Sequence, residues 1–199
     1  MNRKLKIVCI GNSITNGFPY PRSRSFPSII REASGFDVIN KGNNGESTAD
    51  VLARFRHDVL DHHPDVVTIM SGTNDFIYNT DTPKGAIEKI KIMCQWAIDS
   101  GIRVILMTSL LTDAPRARRE WIDTEDIDYE EVNRKILEYD SLMQEYGESA
   151  NITVLDTRKA YMEFAERIGM DAAFHDGLHP TIGGYDFLAK LILEVLQKQ

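Results

Sequence analysis

The feature that most constrains this chain is a short run of apolar, largely β-branched residues that recurs along it. The runs are Lys6 to Ile10, Asp37 to Asn40, Val66 to Met70, Arg103 to Met107 and Ile152 to Leu155. Each is continuous rather than alternating. A strand with one wet face alternates apolar and polar residues, so continuous runs point to strands covered on both faces, as in a parallel sheet. The segments between them carry helix punctuation. Ser25 stands as an N-cap with Pro27 in the first turn and Gly35 past the end, while Thr82 and Pro83 open a second helix that Gly101 closes. Within that second helix Ile87, Ile90, Cys94 and Ala97 fall at helical spacing, as do Val132, Ile136, Tyr139 and Met143 in a later one. Ser47 and Asp50 resemble a capping box ahead of Leu52, Phe55 and Val59. Strands alternating with helices imply crossover connections and a three-layer α/β/α sandwich around a five-stranded parallel sheet.

The chain of 199 residues is expected to form one domain spanning all of them, since a domain of this size buries roughly 70% of its unfolded surface. Its hydrophobic share of 42% and charged share of 27% argue against disorder and fibrous repeats. A net charge of -7 would repel a phosphate backbone, so no nucleic-acid partner is expected. Arg116, Arg118 and Arg119 form the nearest basic cluster, but Glu120, Asp123, Glu125 and Asp126 follow at once, which reads as a solvated mixed-charge loop. Cys9 and Cys94 sit in apolar surroundings and read as small core residues rather than a disulfide framework. The apolar run behind the basic start is too short for a signal-peptide core, and no run approaches the roughly 18 residues of a membrane span. A cytoplasmic location is the resulting expectation.

In open sheets of this kind ligands sit beyond the carboxyl ends of the strands. There the chain offers Gly11-Asn12-Ser13, the turn from Gly42 to Gly45, and Ser71-Gly72-Thr73-Asn74-Asp75, with Asp176-x-x-His179 before the last helix. A serine hydroxyl is a weak nucleophile until a base takes its proton and donors stabilise the oxyanion formed on the attacked carbonyl. These segments hold the residue types for both tasks.

Gly11-Asn12-Ser13-Ile14-Thr15 resembles the first block of the SGNH, or GDSL, hydrolase family. Asn40-x-Gly42-x-x-Gly45 resembles the second, Gly72-Thr73-Asn74-Asp75 the third, and Asp176-Gly177-Leu178-His179-Pro180 the last. All four occur in the family's order and together span nearly the whole chain. The resemblance implies the flavodoxin-like SGNH fold and a cofactor-free, metal-free esterase or acylhydrolase acting on a small-molecule ester; a short acyl group is expected only because the sequence shows no long apolar lid segment. It further implies Ser13 as nucleophile, His179 as general base and Asp176 as the acid orienting it. The oxyanion donors it implies are the backbone N–H groups of Ser13 and Gly45 and the side-chain amide of Asn74. One departure is Asn12, which stands where the family usually has Asp; no catalytic part is given to it.

Plainer readings stand beside these. Asn74 suits a turn, and Gly42 reads best as turn geometry alone. His175 also neighbours Asp176, although the Asp-x-x-His spacing favours His179. His57, His62 and His63 lie among charged residues with no further ligand at zinc spacing. Trp121 and the segment from Thr112 to Asp128 either border the pocket or form a surface excursion. A non-catalytic flavodoxin-like module is the rival class, but neither G-x-G-x-x-G nor a P-loop is present. Acyl transfer to an acceptor other than water, and thioester or lysophospholipid substrates, stay open at this point, as does the oligomeric state.

Overall fold

The computed structural model describes residues 3–121 and 127–197. All five apolar runs are strands: β1 (Lys6–Gly11), β2 (Asp37–Gly42), β3 (Val66–Met70), β4 (Arg103–Met107) and β5 (Thr153–Leu155). They pair in parallel in the order β2-β1-β3-β4-β5. The chain therefore steps outward from β1 to β2 and then reverses to β3, which puts the switch point beside β1, where open α/β sheets form their ligand crevice.

The α-helices among the described residues are α1 (Ser13–Asn16), α2 (Phe26–Ser34), α3 (Thr48–Asp58), α4 (Thr73–Ile77), α5 (Pro83–Asp99), α6 (Ala114–Glu120), α7 (Tyr129–Ala150), α8 (Thr157–Ile168), α9 (Met170–Ala173) and α10 (Ile182–Gln197). Successive side chains of each strand go to opposite faces. Val8, Ile10, Val67, Ile69, Val104 and Leu106 pack into one core with α3, α5 and α7. Ile7, Cys9, Ile105 and Met107 pack into the other with α2, α8 and α10. Burial of both faces accounts for the continuous apolar runs. Capping follows the expected chemistry: the side chains of Ser25 and Thr82 accept from the backbone N–H groups of Ser28 and Gly85, and Ser47 and Asp50 complete a reciprocal capping box. Cys9 and Cys94 are buried free thiols, both pushed up to about 12 by burial. No described helix is long and apolar enough to cross a membrane.

Two local expectations are corrected. Ser13 and Asn74 are not in loops: each lies in a single-turn helix, α1 or α4, that starts two or three residues after the last residue of a strand. The cluster Arg116, Arg118 and Arg119 is likewise helical, in α6, because Asp113 accepts from the Arg116 backbone N–H and Pro115 suits a first turn. Asp123, Glu125 and Asp126 lie outside the described residues. Helix α10 buries Tyr185, Leu188, Ala189, Ile192 and Leu196, whereas Ile182 at its start is 40% exposed.

Candidate active site

Strand β1 delivers Ser13 to the carboxyl edge of the sheet. Gly11 and Gly42 pair across β1 and β2, and both must lack a side chain. A β-carbon on Gly42 would lie 2.1 Å from the Asn16 nitrogen, and one on Gly11 would lie 2.3 Å from the Met70 carbonyl oxygen. Their absence lets α1 sit directly on the strand ends. Ser13 is the first residue of α1 and is nearly buried.

The other half of the site comes from the segment ahead of α10. His179 Nε2 lies 2.9 Å from Ser13 Oγ, and His179 Nδ1 lies 2.8 Å from Asp176 Oδ2. The second oxygen of Asp176 accepts the backbone N–H groups of Leu178 at 2.9 Å and His179 at 2.8 Å. One carboxylate therefore fixes both the turn that carries the imidazole and the imidazole itself. Burial would raise the Asp176 carboxyl, but the His179 ring and these backbone N–H groups outweigh it and hold the group below the usual carboxylate range. The expected competitor is elsewhere: His175 is exposed, and its Nδ1 lies 3.2 Å from the Tyr20 hydroxyl.

Helix α6 braces this turn. The Asp113 N–H donates to the Gly177 carbonyl at 2.8 Å, and Arg116 Nη2 donates to the His175 carbonyl at 2.6 Å. Gly177 has φ +86° and a β-carbon position 2.4 Å from the Ala117 nitrogen, so backbone packs on backbone there.

Gly45 and Asn74 form the opposite wall. Gly45 adopts φ +77° in the turn after β2. Asn74 in α4 donates through Nδ2 to the Glu46 carbonyl at 2.9 Å. A primary amide has two N–H bonds, so one remains for a ligand. Behind it, the buried Asp75 carboxylate accepts the Thr48 N–H at 2.8 Å and hydroxyl at 2.9 Å, tying α4 to the start of α3. Burial raises the Asp75 carboxyl, against the lowering effect of the Thr48 bonds.

Between the walls is a cavity of about 280 Å³ onto which Ser13, Gly45, Asn74 and His179 all open. Phe18, Ile77, Tyr78, Trp121, Tyr129 and Leu178 supply its apolar lining. The His179 ring is edge-on to Phe18 at 4.7 Å and tilted to Trp121 at 5.8 Å. Trp121 thus borders the pocket, while 122–126 of the same segment lie outside the described residues. A hydroxyl, an imidazole and a carboxylate in this sequence can draw a proton from the hydroxyl as it attacks a carbonyl. Among the described residues no cluster of His, Cys, Asp and Glu is arranged to hold a metal ion.

The site thus brings together Ser13, Asp176, His179, Gly45 and Asn74. Sequence reasoning missed the lining from Phe18, Ile77, Tyr78, Tyr129 and Leu178 and the brace at Asp75. Asp75 had a signal, a carboxylate inside an otherwise neutral turn motif. The apolar lining had none, because it is assembled from separate segments with no common spacing.

The fold and the location of the cavity define an α/β/α sandwich with its site at the switch-point end of the sheet. The sequence matches the GDSL-like lipase/acylhydrolase family over residues 9–187, and the chain belongs to that family. As such it is a carboxylic ester hydrolase. An acetylxylan esterase from Geobacillus stearothermophilus is 26% identical over 163 residues, covering 80% of this chain and 71% of the relative. An arylesterase from Vibrio mimicus is 33% identical over 107 residues, 51% of this chain and 53% of the relative. The crystal structure of a lipase/acylhydrolase from Enterococcus faecalis superposes with a TM-score of 0.79 at 27% identity, covering 96% of this chain and 95% of that one.

Proposed function

We propose that this protein hydrolyses short-chain acyl esters through an acyl-enzyme at Ser13. His179 takes the Ser13 proton as Oγ attacks the acyl carbon, then returns it to the departing alcohol; Asp176 holds the imidazole in the required tautomer. Water enters by the same base and releases the acid. The oxyanion is met by the backbone N–H groups of Ser13 and Gly45 and by the free N–H of the Asn74 amide. The observation that carries this reading is the pair of contacts at 2.9 and 2.8 Å from Ser13 Oγ through His179 to Asp176 Oδ2. A cavity of about 280 Å³ falls at the small end of ligand sites, which span roughly 300–1,000 Å³. Lying just below that span, it suits a short acyl chain with part of its alcohol better than a long lipid. The relatives named as an acetylxylan esterase and an arylesterase favour acetyl esters of sugars and small aryl esters as first substrates.

The test is a series of p-nitrophenyl esters from acetate to dodecanoate, with acetylated xylo-oligosaccharides, run against wild type and Ser13→Ala. Turnover should be greatest for the shortest acyl groups and absent in Ser13→Ala. A fluorophosphonate should label the wild type once, at Ser13. Turnover by a folded Ser13→Ala enzyme near the wild-type rate would overturn the assignment.

A further inference from the structure

Arg54 is absent from the cavity lining, yet its guanidinium meets the segments that carry the proposed oxyanion donors. It lies on α3 with its side chain only 15% exposed. Nη2 donates to the Gly11 carbonyl at 2.9 Å, two residues before Ser13. Nε donates to Glu46 Oε2 at 2.7 Å, and Glu46 follows Gly45 directly. The backbone carbonyl of the same Glu46 accepts the Asn74 amide at 2.9 Å. Nη1 donates to Asp58 Oδ2 at 2.8 Å, one turn along α3, which holds the guanidinium plane from behind.

Charge balances within this group. Lys41 pairs with the other oxygen of Asp58 at 3.0 Å, so two cations face two carboxylates. Asp58 is held at about 2: burial pulls it upward, and hydrogen bonds from Arg54, Lys41 and His57 overcome that. Glu46 is also pinned through Oε1, which accepts the Asn43 side-chain amide at 3.0 Å. Because the contacts diverge from three nitrogens of one rigid plane, a lysine cannot reproduce them.

We propose that Arg54 is a positioning residue for the oxyanion hole, fixing the Glu46 segment against Gly11 so that the Gly45 N–H, the Asn74 amide and Ser13 keep their mutual geometry. The inference rests on the reading of Ser13, Gly45 and Asn74 given above. An ion pair that merely stapled α3 would change how much enzyme folds without changing turnover per active site. A positioning residue changes kcat and leaves KM nearly alone, because the oxyanion donors act mainly in the transition state.

The experiment measures kcat per fluorophosphonate-titrated site, with p-nitrophenyl acetate, for Arg54→Met, Arg54→Lys, Glu46→Gln, Asn74→Ala and the Arg54→Met/Asn74→Ala double variant. Arg54→Met should lose roughly ten- to thirtyfold in kcat with KM within about twofold, and Arg54→Lys should recover only part of it. In the Asn74→Ala background the same substitution should cost at least about threefold less, since one of the groups it aligns is gone. Glu46→Gln, which leaves the α3 backbone and Arg54 in place, should show the same kcat-only loss and serves if Arg54→Met does not fold. Fully multiplicative losses, an unchanged kcat per site, or a loss carried by KM would overturn the proposal. Ser13→Ala in the same assay separates the two readings: if it is inert while the Arg54 effects are multiplicative, only the positioning role fails, and if it retains turnover the site itself has been misread.

Discussion

Asn74 has two amide hydrogens and, among the described residues, one acceptor for them, the Glu46 carbonyl, and this asymmetry carries the oxyanion role proposed for it. The bond to Glu46 fixes the amide plane before substrate arrives, so alignment costs little at the moment of reaction. Asn74→Ala is expected to lower kcat roughly a hundred- to a thousandfold, about 2.7 to 4 kcal/mol, with a smaller change in KM. Asn74→Asp should be at least as slow, since an ionised carboxylate repels the oxyanion and donates nothing. Steady-state kinetics on a folded variant checks this, and a kcat within about threefold of wild type removes Asn74 from the oxyanion hole. The residue was legible from its place in a Gly-Thr-Asn-Asp motif. Its neighbour Asp75 was not assigned, because the Thr48 groups it anchors come from a segment distant in sequence.

At the scale of elements, the site depends on short helices seated where longer side chains would collide. Helix α6 meets the turn carrying Asp176 and His179 through the Asp113 N–H and the Arg116 guanidinium, and Gly177, at φ +86° with no room for a β-carbon, is where backbone packs on backbone. Gly177→Ala combines strain in a left-handed conformation, about 1–3 kcal/mol, with a clash against Ala117. It should lower the urea midpoint and, by displacing His179 from Ser13, reduce kcat severely even in the folded fraction. Equal midpoints and equal kcat for the two proteins would mean that the α6 contact does not govern the turn. Gly101 offers the control: it also has positive φ, at +71°, but nothing lies within 4 Å of its β-carbon position. Gly101→Ala should affect stability alone.

Across the whole molecule, the two helical layers are tied together at the β5 side of the sheet by Arg158 of α8, whose Nε donates to Asp140 of α7 at 2.6 Å. Asp140 is almost fully buried, and that burial outweighs the attraction of Arg158 and raises its carboxyl from 3.8 to about 7. The folded protein therefore keeps a proton on Asp140 that the unfolded chain releases, so between those two values stability falls as pH rises. Asp140→Asn removes this dependence. The advantage of wild type over the variant should be largest near the lower end of the window and shrink by more than about 1 kcal/mol towards neutrality. Urea unfolding of both proteins across that range reads it directly, and parallel stability profiles would refute the assignment to Asp140.

The sequence by itself determined the architecture and singled out the candidate site residues. Five continuous apolar runs had to be covered on both faces, and Ser13, Gly45, Asn74, Asp176 and His179 stood at the ends of strands or at a helix entrance in motifs of fixed order. These are local signals, readable from spacing and residue chemistry. Tertiary structure alone decided which distant groups meet: that Arg54 of α3 reaches the Gly11 carbonyl, that α6 rather than a mixed-charge loop braces the Gly177 turn, and that Trp121 and Phe18 flank the His179 ring. Such contacts join segments far apart in the chain, and they depend on helix rotation and on backbone approaches of a few ångströms. No local pattern encodes those distances, because they are set by how the whole core packs.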